Sequence, residues 1–229
     1  MQHFLNSSYT FPLEKNTQLE TLIQPHCKIM PLPAKTKFLE FGDTMDGVYY
    51  VFKGRTKHYI LGEDGAEKIL YTLSAGWFFG ETPLILHEST GLISETMESS
   101  ILWKIPFPVY HRLFDESALF RTAIMNCMSR KMLILRHEIE NLVFNPCKQR
   151  IMQLLCSTVD PNSCEDDEWY NILTHYTQYE ISTIIGSARV TTSKLINELC
   201  NDGFIRILNR KIQVSKSAYE EIVDDEDLL

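Results

Sequence analysis

Between Met30 and Pro106 short apolar-rich runs alternate with turn residues. The runs are Thr36–Phe41, Gly47–Phe52, Arg55–Leu61, Glu67–Leu73, Leu92–Glu98 and Ser100–Ile105, and each reads as a strand. Gly42-Asp43, Lys53-Gly54, Asp64-Gly65 and Ala75-Gly76 punctuate them. Short strands broken this regularly by turn signals predict a sandwich or barrel. Asp64-Gly65 predicts a hairpin with a type I′ turn, which needs φ > 0 at both central residues. Ahead of the strands, Thr17–Ile23 reads as a short helix.

The period changes after Pro106. Phe107–Leu113 reads as a short helix and a long one begins near Ser117. Along it Met125, Met128, Met132, Leu135, Ile139 and Leu142 recur at alternating spacings of three and four. That is an a/d seam, flanked by the charges of Arg130, Lys131, Arg136, Glu138 and Glu140. The stripe suits either a core helix packed on its own domain or a seam between two copies. Its narrowness and charged flanks favour the second.

Asn145-Pro146 ends this helix, because the residue before a proline is pushed out of the α region. A smaller domain follows: a helix over Lys148–Thr158, an acidic loop over 160–168 and a short strand over Tyr170–Leu173. Thr177 with Glu180 three residues on has the form of a capping box. Ile181, Ile184 and Ile185 supply the buried face of that helix, and Gly186 permits a sharp turn. A second helix carries Leu195 and Leu199 inward and opens with Arg189, Val190, Thr191, Ser193 and Lys194. Phe204–Leu208 and Lys211–Val214, joined at Asn209-Arg210, read as a hairpin wing. The order is that of a helix–turn–helix, whose second helix enters a major groove by its N-terminal end.

Composition bears on this reading at one point. Hydrophobic residues make up 44% of the 229 and charged residues 23%, as in ordinary globular chains, but the net charge is −8. An acidic chain argues against a nucleic-acid partner until the charge is located. Asp160 with Glu165–Glu168, and Glu220, Glu221 with Asp224–Asp227, carry eleven acids and no Lys or Arg; the rest of the chain is net +3. Residues 174–216 alone are also net +3, which gives DNA phosphates something to exchange for counterions.

Cys27, Cys127, Cys147, Cys156, Cys164 and Cys200 show no CxxC pair and no zinc spacing, so reduced, mostly buried thiols are expected; spacing alone gives a Cys27–Cys200 bridge little support. His3, His26, His58, His87, His111, His137 and His175 are scattered, and a lone histidine is more often structural than a haem ligand. No metal site is expected. No signal peptide or membrane span is visible, so a cytoplasmic protein is expected. GxSxG, HExxH and P-loop motifs are missing and no catalytic residue is expected.

Val48–Gly54, Gly80-Glu81, Phe144-Asn145-Pro146 and Thr177–Leu199 together resemble the CRP/FNR-type transcription regulators over essentially the whole chain. The resemblance implies an α+β fold in three parts. Residues 1–116 form an effector-sensing double-stranded β-helix (a jelly roll, cyclic-nucleotide-binding-like), 117–145 the dimerisation helix, and 146–229 a winged helix–turn–helix. It further implies a homodimer on near-palindromic double-stranded DNA, with RNA polymerase a partner. The alternatives are an effector-sensing module acting through protein partners, or a regulator sensing a cyclic nucleotide, haem or redox signal. Arg189, Val190 and Lys194 match the family's base-reading positions, while Thr191, Ser193, Thr177 and Gln178 are placed to meet the backbone. Many relatives carry Glu where Val190 stands. Valine cannot accept from a cytosine amine and can only touch a thymine methyl, so an A·T-rich site is expected.

In the family's nucleotide cassette the Glu of Gly-Glu holds a ribose hydroxyl and an Arg-Ser pair holds the cyclic phosphate. Here that pair is Thr90-Gly91, and no arginine occurs between Arg55 and Arg112. Without a guanidinium fork, cyclic AMP is not expected to bind. With only Cys27 in the first hundred residues, the iron–sulfur cluster of the oxygen-sensing branch is not expected either. Tyr71, Trp77, Phe79, Glu81, Thr90 and Ser94, with Asn126 and Arg130 from the long helix, suit a small aromatic or anionic effector. The stretch Asp64–Tyr71 and the Val at the middle reading position are similar to the halophenol-sensing regulators of dehalorespiration (the CprK type). That likeness implies a basic residue of the long helix on a phenolate, and Arg130 lies in the comparable place. A solvated flank is the alternative for Arg130.

Overall fold

The computed structural model describes residues 15–226, with the side chains of 223–226 left aside. The chain divides into two compact units within the long helix, at Leu135/Arg136. The first begins with α1 (Thr17–Ile23), capped by the Asn16 side chain on Leu19 N, and a short 3₁₀ turn. Eight strands follow: β1 (Lys28–Leu32), β2 (Lys37–Leu39), β3 (Gly47–Lys53), β4 (Thr56–Leu61), β5 (Glu67–Leu73), β6 (Phe78–Phe79), β7 (Ile93–Thr96) and β8 (Ser100–Pro106). They form two four-stranded antiparallel sheets, ordered β1-β8-β3-β6 and β2-β7-β4-β5. Val48, Tyr50, Leu73, Trp77, Phe78, Leu102 and Ile105 are fully buried in the core that the sheets share with the helices.

Two strands escape the sequence pattern for stated reasons. Strand β1 contains Pro31, which breaks a strand signal but is tolerated here because β1 is an edge strand, paired only to β8. Strand β6 is two residues long. The β4–β5 hairpin forms where expected, but its turn is not type I′. Gly65 N bonds to Gly62 O and Gly62 N to Ala66 O, and within the loop only Gly65 has positive φ. This is a three-residue loop, a tight turn closed by a left-handed glycine.

After β6 the chain makes a helix the sequence pattern missed, α2 (Glu81–Leu86). Gly80 precedes it at φ +89°, a left-handed conformation that favours glycine. Helices α3 (Phe107–Glu116) and α4 (Ala118–Phe144) follow β8. Helix α4 presents two faces. Phe120, Ile124, Cys127, Lys131 and Ile134 are buried. Of the expected seam, Met128 and Leu135 pack half-buried against the core, while Met125, Met132, Ile139 and Leu142 are exposed, Met132 at 71%.

The second unit has α5 (Cys147–Cys156), β9 (Trp169–Asn171), α6 (Gln178–Ile185), α7 (Arg189–Asn201), β10 (Ile205–Leu208), β11 (Lys211–Ser215) and α8 (Lys216–Glu226). The small sheet runs β10-β11-β9. Helix α8 was not foreseen, and it takes in Asp224–Glu226 of the second acidic run. Residues 227–229 lie outside the described residues. Asn209 and Arg210 both take positive φ, so the two-residue turn at the wing is the one with the primed geometry. None of the six cysteines forms a disulfide; only Cys127 and Cys156 are buried, and Cys164 is exposed. Among the described residues no helix is long and apolar enough to cross a membrane, and no metal-ligating cluster occurs.

Candidate effector cavity and nucleic-acid interface

A cavity of about 370 Å³ opens in the first unit between β4, β5, β7, α2 and α4. Its apolar lining includes Leu39, Leu70, Phe79, Leu92 and Leu135. Its polar lining centres on Glu81, the first residue of α2, which is 1% exposed. Lys131 Nζ donates to Glu81 Oε1 and, at 3.1 Å, to Phe78 O. Glu81 Oε2 is buried with no partner. The pair thus leaves one acceptor oxygen unused.

His58 lies beside this pair. Its ring nitrogens bond Ser94 Oγ at 2.9 Å and Thr56 Oγ1 at 3.0 Å, and the ring packs 5.1 Å from Tyr71 and 4.8 Å from Phe79. Burial, with the nearby Lys131 charge, holds its pKa down at about 3. Burial also pushes the Tyr71 phenol up, helped by Glu81. Both therefore act as neutral hydrogen-bonding groups near neutral pH.

Of the expected effector residues, Tyr71, Phe79, Glu81, Thr90 and Ser94 line this cavity. Trp77 does not; it is fully buried in the core. Asn126 is exposed on α4 and lines a different, smaller hollow with Asn16 and Tyr50. Arg130 is exposed, and the cation that enters the cavity is its neighbour Lys131. One residue along a helix is a turn of about 100°, enough to move a side chain from flank to core. The signal was present in the sequence: Lys131 shares the four–three spacing of Phe120, Ile124, Cys127 and Ile134. The Thr90 hydroxyl is bonded within its own loop to Leu92 O at 3.2 Å.

In the second unit the capping box forms: Thr177 N donates to Glu180 Oε2 at 2.8 Å and Glu180 N to Thr177 Oγ1 at 3.2 Å. The Thr177 hydroxyl also donates to Glu180 Oε2, so it is committed to the cap. Gly186 ends α6 at φ +67°, and Ser187 N closes the turn on Ser182 O at 3.0 Å. Helix α7 is anchored by Thr192, Ile196 and Leu199. Leu199 is fully buried as expected, whereas Leu195 is only half-buried and Ile196 takes the inner position one turn before Leu199. Arg189, Val190, Thr191 and Lys194 are exposed, Ser193 and Gln178 half-buried. Ala188 supplies no side-chain cap, so the first N–H groups of α7 stay available to an anion.

Charge is less one-sided than the sequence tally suggests. Arg206 Nε donates to Gln213 Oε1, and its guanidinium meets Glu165 of the acidic loop at 3.6 Å and covers Trp169. Lys148 pairs with Asp202 at 2.5 Å. Arg189, Lys194 and Arg210 remain exposed on the recognition helix and wing turn.

A β-roll with a ligand-sized cavity, joined through one long helix to a winged helix–turn–helix, defines a ligand-responsive DNA-binding transcription regulator. Residues 30–117 match the cyclic nucleotide-binding domain family and 149–218 the Crp-like helix-turn-helix domain. The chain is 25% identical over 206 residues to the cAMP-activated global transcriptional regulator CRP of Haemophilus influenzae, covering 88% of this chain and 91% of that one. The corresponding match to Vfr of Pseudomonas aeruginosa is 21% over 197 residues, covering 82% and 90%. The chain belongs to the CRP/FNR family of transcription regulators and is not an enzyme. Among solved structures, the c-di-GMP responsive regulator CLP of Xanthomonas campestris superposes with a TM-score of 0.76 at 19% identity, covering 87% of this chain and 99% of that one. OCPA-complexed CprK gives 0.70 at 20%, covering 90% and 91%. CooA of Carboxydothermus hydrogenoformans gives 0.72 at 18%, covering 92% of each. The fold therefore does not single out the halophenol-sensing branch.

Proposed function

We propose that two copies of this chain bind a near-palindromic, A·T-rich DNA site and that a small organic effector in the β-roll cavity controls that binding. The observation that carries the DNA reading is the outer face of α7. Arg189, Val190 and Lys194 stand exposed on it while Thr192, Ile196 and Leu199 hold its inner face. Arg189 and Lys194 reach base edges, Thr191, Ser193 and Gln178 meet the backbone, and Val190 touches a thymine methyl. The exposed Met125, Met132, Ile139 and Leu142 supply the seam between copies. RNA polymerase is the further partner.

The cavity favours a weakly acidic aromatic molecule over a cyclic nucleotide. Among the described residues Lys131 is the cation in its lining and none of the lining residues is an arginine, while Thr90 offers no charge. A phenolate or carboxylate takes Lys131, and a hydroxyl or N–H on the same molecule takes the unpartnered Glu81 oxygen. Halophenols are the first probes on this reading.

Selection from a random duplex pool tests the DNA half. Enrichment of a two-fold-related site with A·T at the pair facing Val190 is expected, and an invariant G·C pair there overturns it. Calorimetric titration tests the effector half. Heat with halophenols that disappears in Lys131→Ala is expected; heat with cyclic AMP alone overturns it.

A further inference from the structure

The N-terminal end of α5 holds a pair that DNA and effector binding leave unused. Arg150 is 7% exposed, and the hydrogen bond its side chain makes among the described residues runs from Nη2 to Cys147 Sγ at 2.8 Å. Its Nε is buried with no partner. A guanidinium cannot shed its proton, and a buried cation needs an anion. Among the described residues no carboxylate pairs with Arg150; the group in reach that can carry negative charge is the Cys147 sulfur. Burial pushes the Cys147 thiol up, but hydrogen bonds from Arg150 and the Ser187 hydroxyl, with the Arg150 charge, outweigh it and the net shift is down. Burial instead pushes Cys27 up to about 12, Cys127 up to about 11, and Cys200 upward. Cys147 is also partly exposed, as the first residue of a helix whose N-cap, Pro146, brings no capping side chain.

We propose that Cys147 is a thiolate site for hydroperoxides, with Arg150 as its counter-ion and Ser187 linking it to the turn of the helix–turn–helix. With hydrogen peroxide the sulfur attacks one oxygen. An S–O bond forms, the O–O bond breaks and sulfur is oxidised by two electrons. The departing oxygen leaves with the electron pair and takes the proton of the transferred hydroxyl, so the products are a sulfenate and water. The sulfenate oxygen takes hydrogen bonds from Arg150, which still has Nε to offer. Ser187 sits between α6 and α7, so a change in what its hydroxyl bonds is felt where the two helices meet.

The reduced full chain is treated with limiting hydrogen peroxide and dimedone, and adducts are mapped by peptide mass spectrometry. Cys147 is expected to be labelled at least tenfold faster than the exposed Cys164, and label at Cys164 first overturns the proposal. Arg150→Lys, which keeps the charge but loses the fork, is expected to slow labelling severalfold; an unchanged rate in a folded variant overturns the counter-ion role. Should that variant not fold, the pH profile of iodoacetamide alkylation in the parent decides. A midpoint for Cys147 below that of Cys164 supports the thiolate, and one at or above it refutes it. Hydrogen exchange over 182–190 is expected to rise on oxidation of the parent and not in Cys147→Ser; no rise in the parent overturns the link to the turn.

Discussion

His58 shows what one residue contributes at this cavity. Folding lowers its pKa from the free value near 6.5 to about 3, so the unfolded chain binds the proton more tightly. Its stabilising contribution is full above pH 6.5 and is lost as pH falls from there toward 3. At about 1.4 kcal/mol per unit, some 2 kcal/mol is gone by pH 5. Urea unfolding at pH 7 and pH 5 should show that loss, and His58→Gln should remove most of it. Lys131 makes the opposite kind of contribution. Lys131→Met strands the Glu81 carboxylate in a closed site and should cost about 3–5 kcal/mol, while adding Glu81→Leu should recover most of it. Thermal unfolding of the single and the double variant checks both statements. The sequence did not reveal these two residues as partners, because they are fifty positions apart and meet only when α4 packs on the β-roll. Arg130 was the more conspicuous candidate, since nothing local marks a buried lysine except its register with Ile124, Cys127 and Ile134.

Among elements, α4 is the most legible and the most divided. Its apolar stripe was readable from spacing alone. What spacing did not show was that Met128 and Leu135 are shared with the chain's own core while Met125, Met132, Ile139 and Leu142 are not. Charge on the exposed set alone should therefore separate copies without unfolding the β-roll. Met132→Glu with Ile139→Glu is expected to sediment as a monomer with an unchanged near-ultraviolet spectrum, whereas a dimer of these variants would place the seam elsewhere. The capping box at Thr177 and the turn at Gly186 were legible because both are local chemistry. Edge strand β1 and the short α2 were not, because Pro31 and a left-handed Gly80 are licensed by neighbours distant in sequence.

At the scale of the whole molecule, net charge misleads. The chain is acidic, yet the recognition helix and wing turn expose Arg189, Lys194 and Arg210. Pairing of Arg206 with Glu165 and of Lys148 with Asp202 reduces the cationic surface below what counting implies. DNA affinity should accordingly fall with salt along a shallow line in log–log form. Fluorescence anisotropy between about 50 and 200 mM salt would measure it. Because Lys194 reaches a base edge, Lys194→Ala should reduce affinity and relax sequence preference at that position; a slope flattened by about one unit with preference unchanged would place it on a phosphate instead.

Lys131 and Met132 are consecutive residues of α4, one turned inward to the cavity and the other outward to solvent. A ligand drawn to Lys131 engages a residue whose immediate neighbour stands on the seam face about 100° round the same turn, so pocket and seam share one piece of backbone.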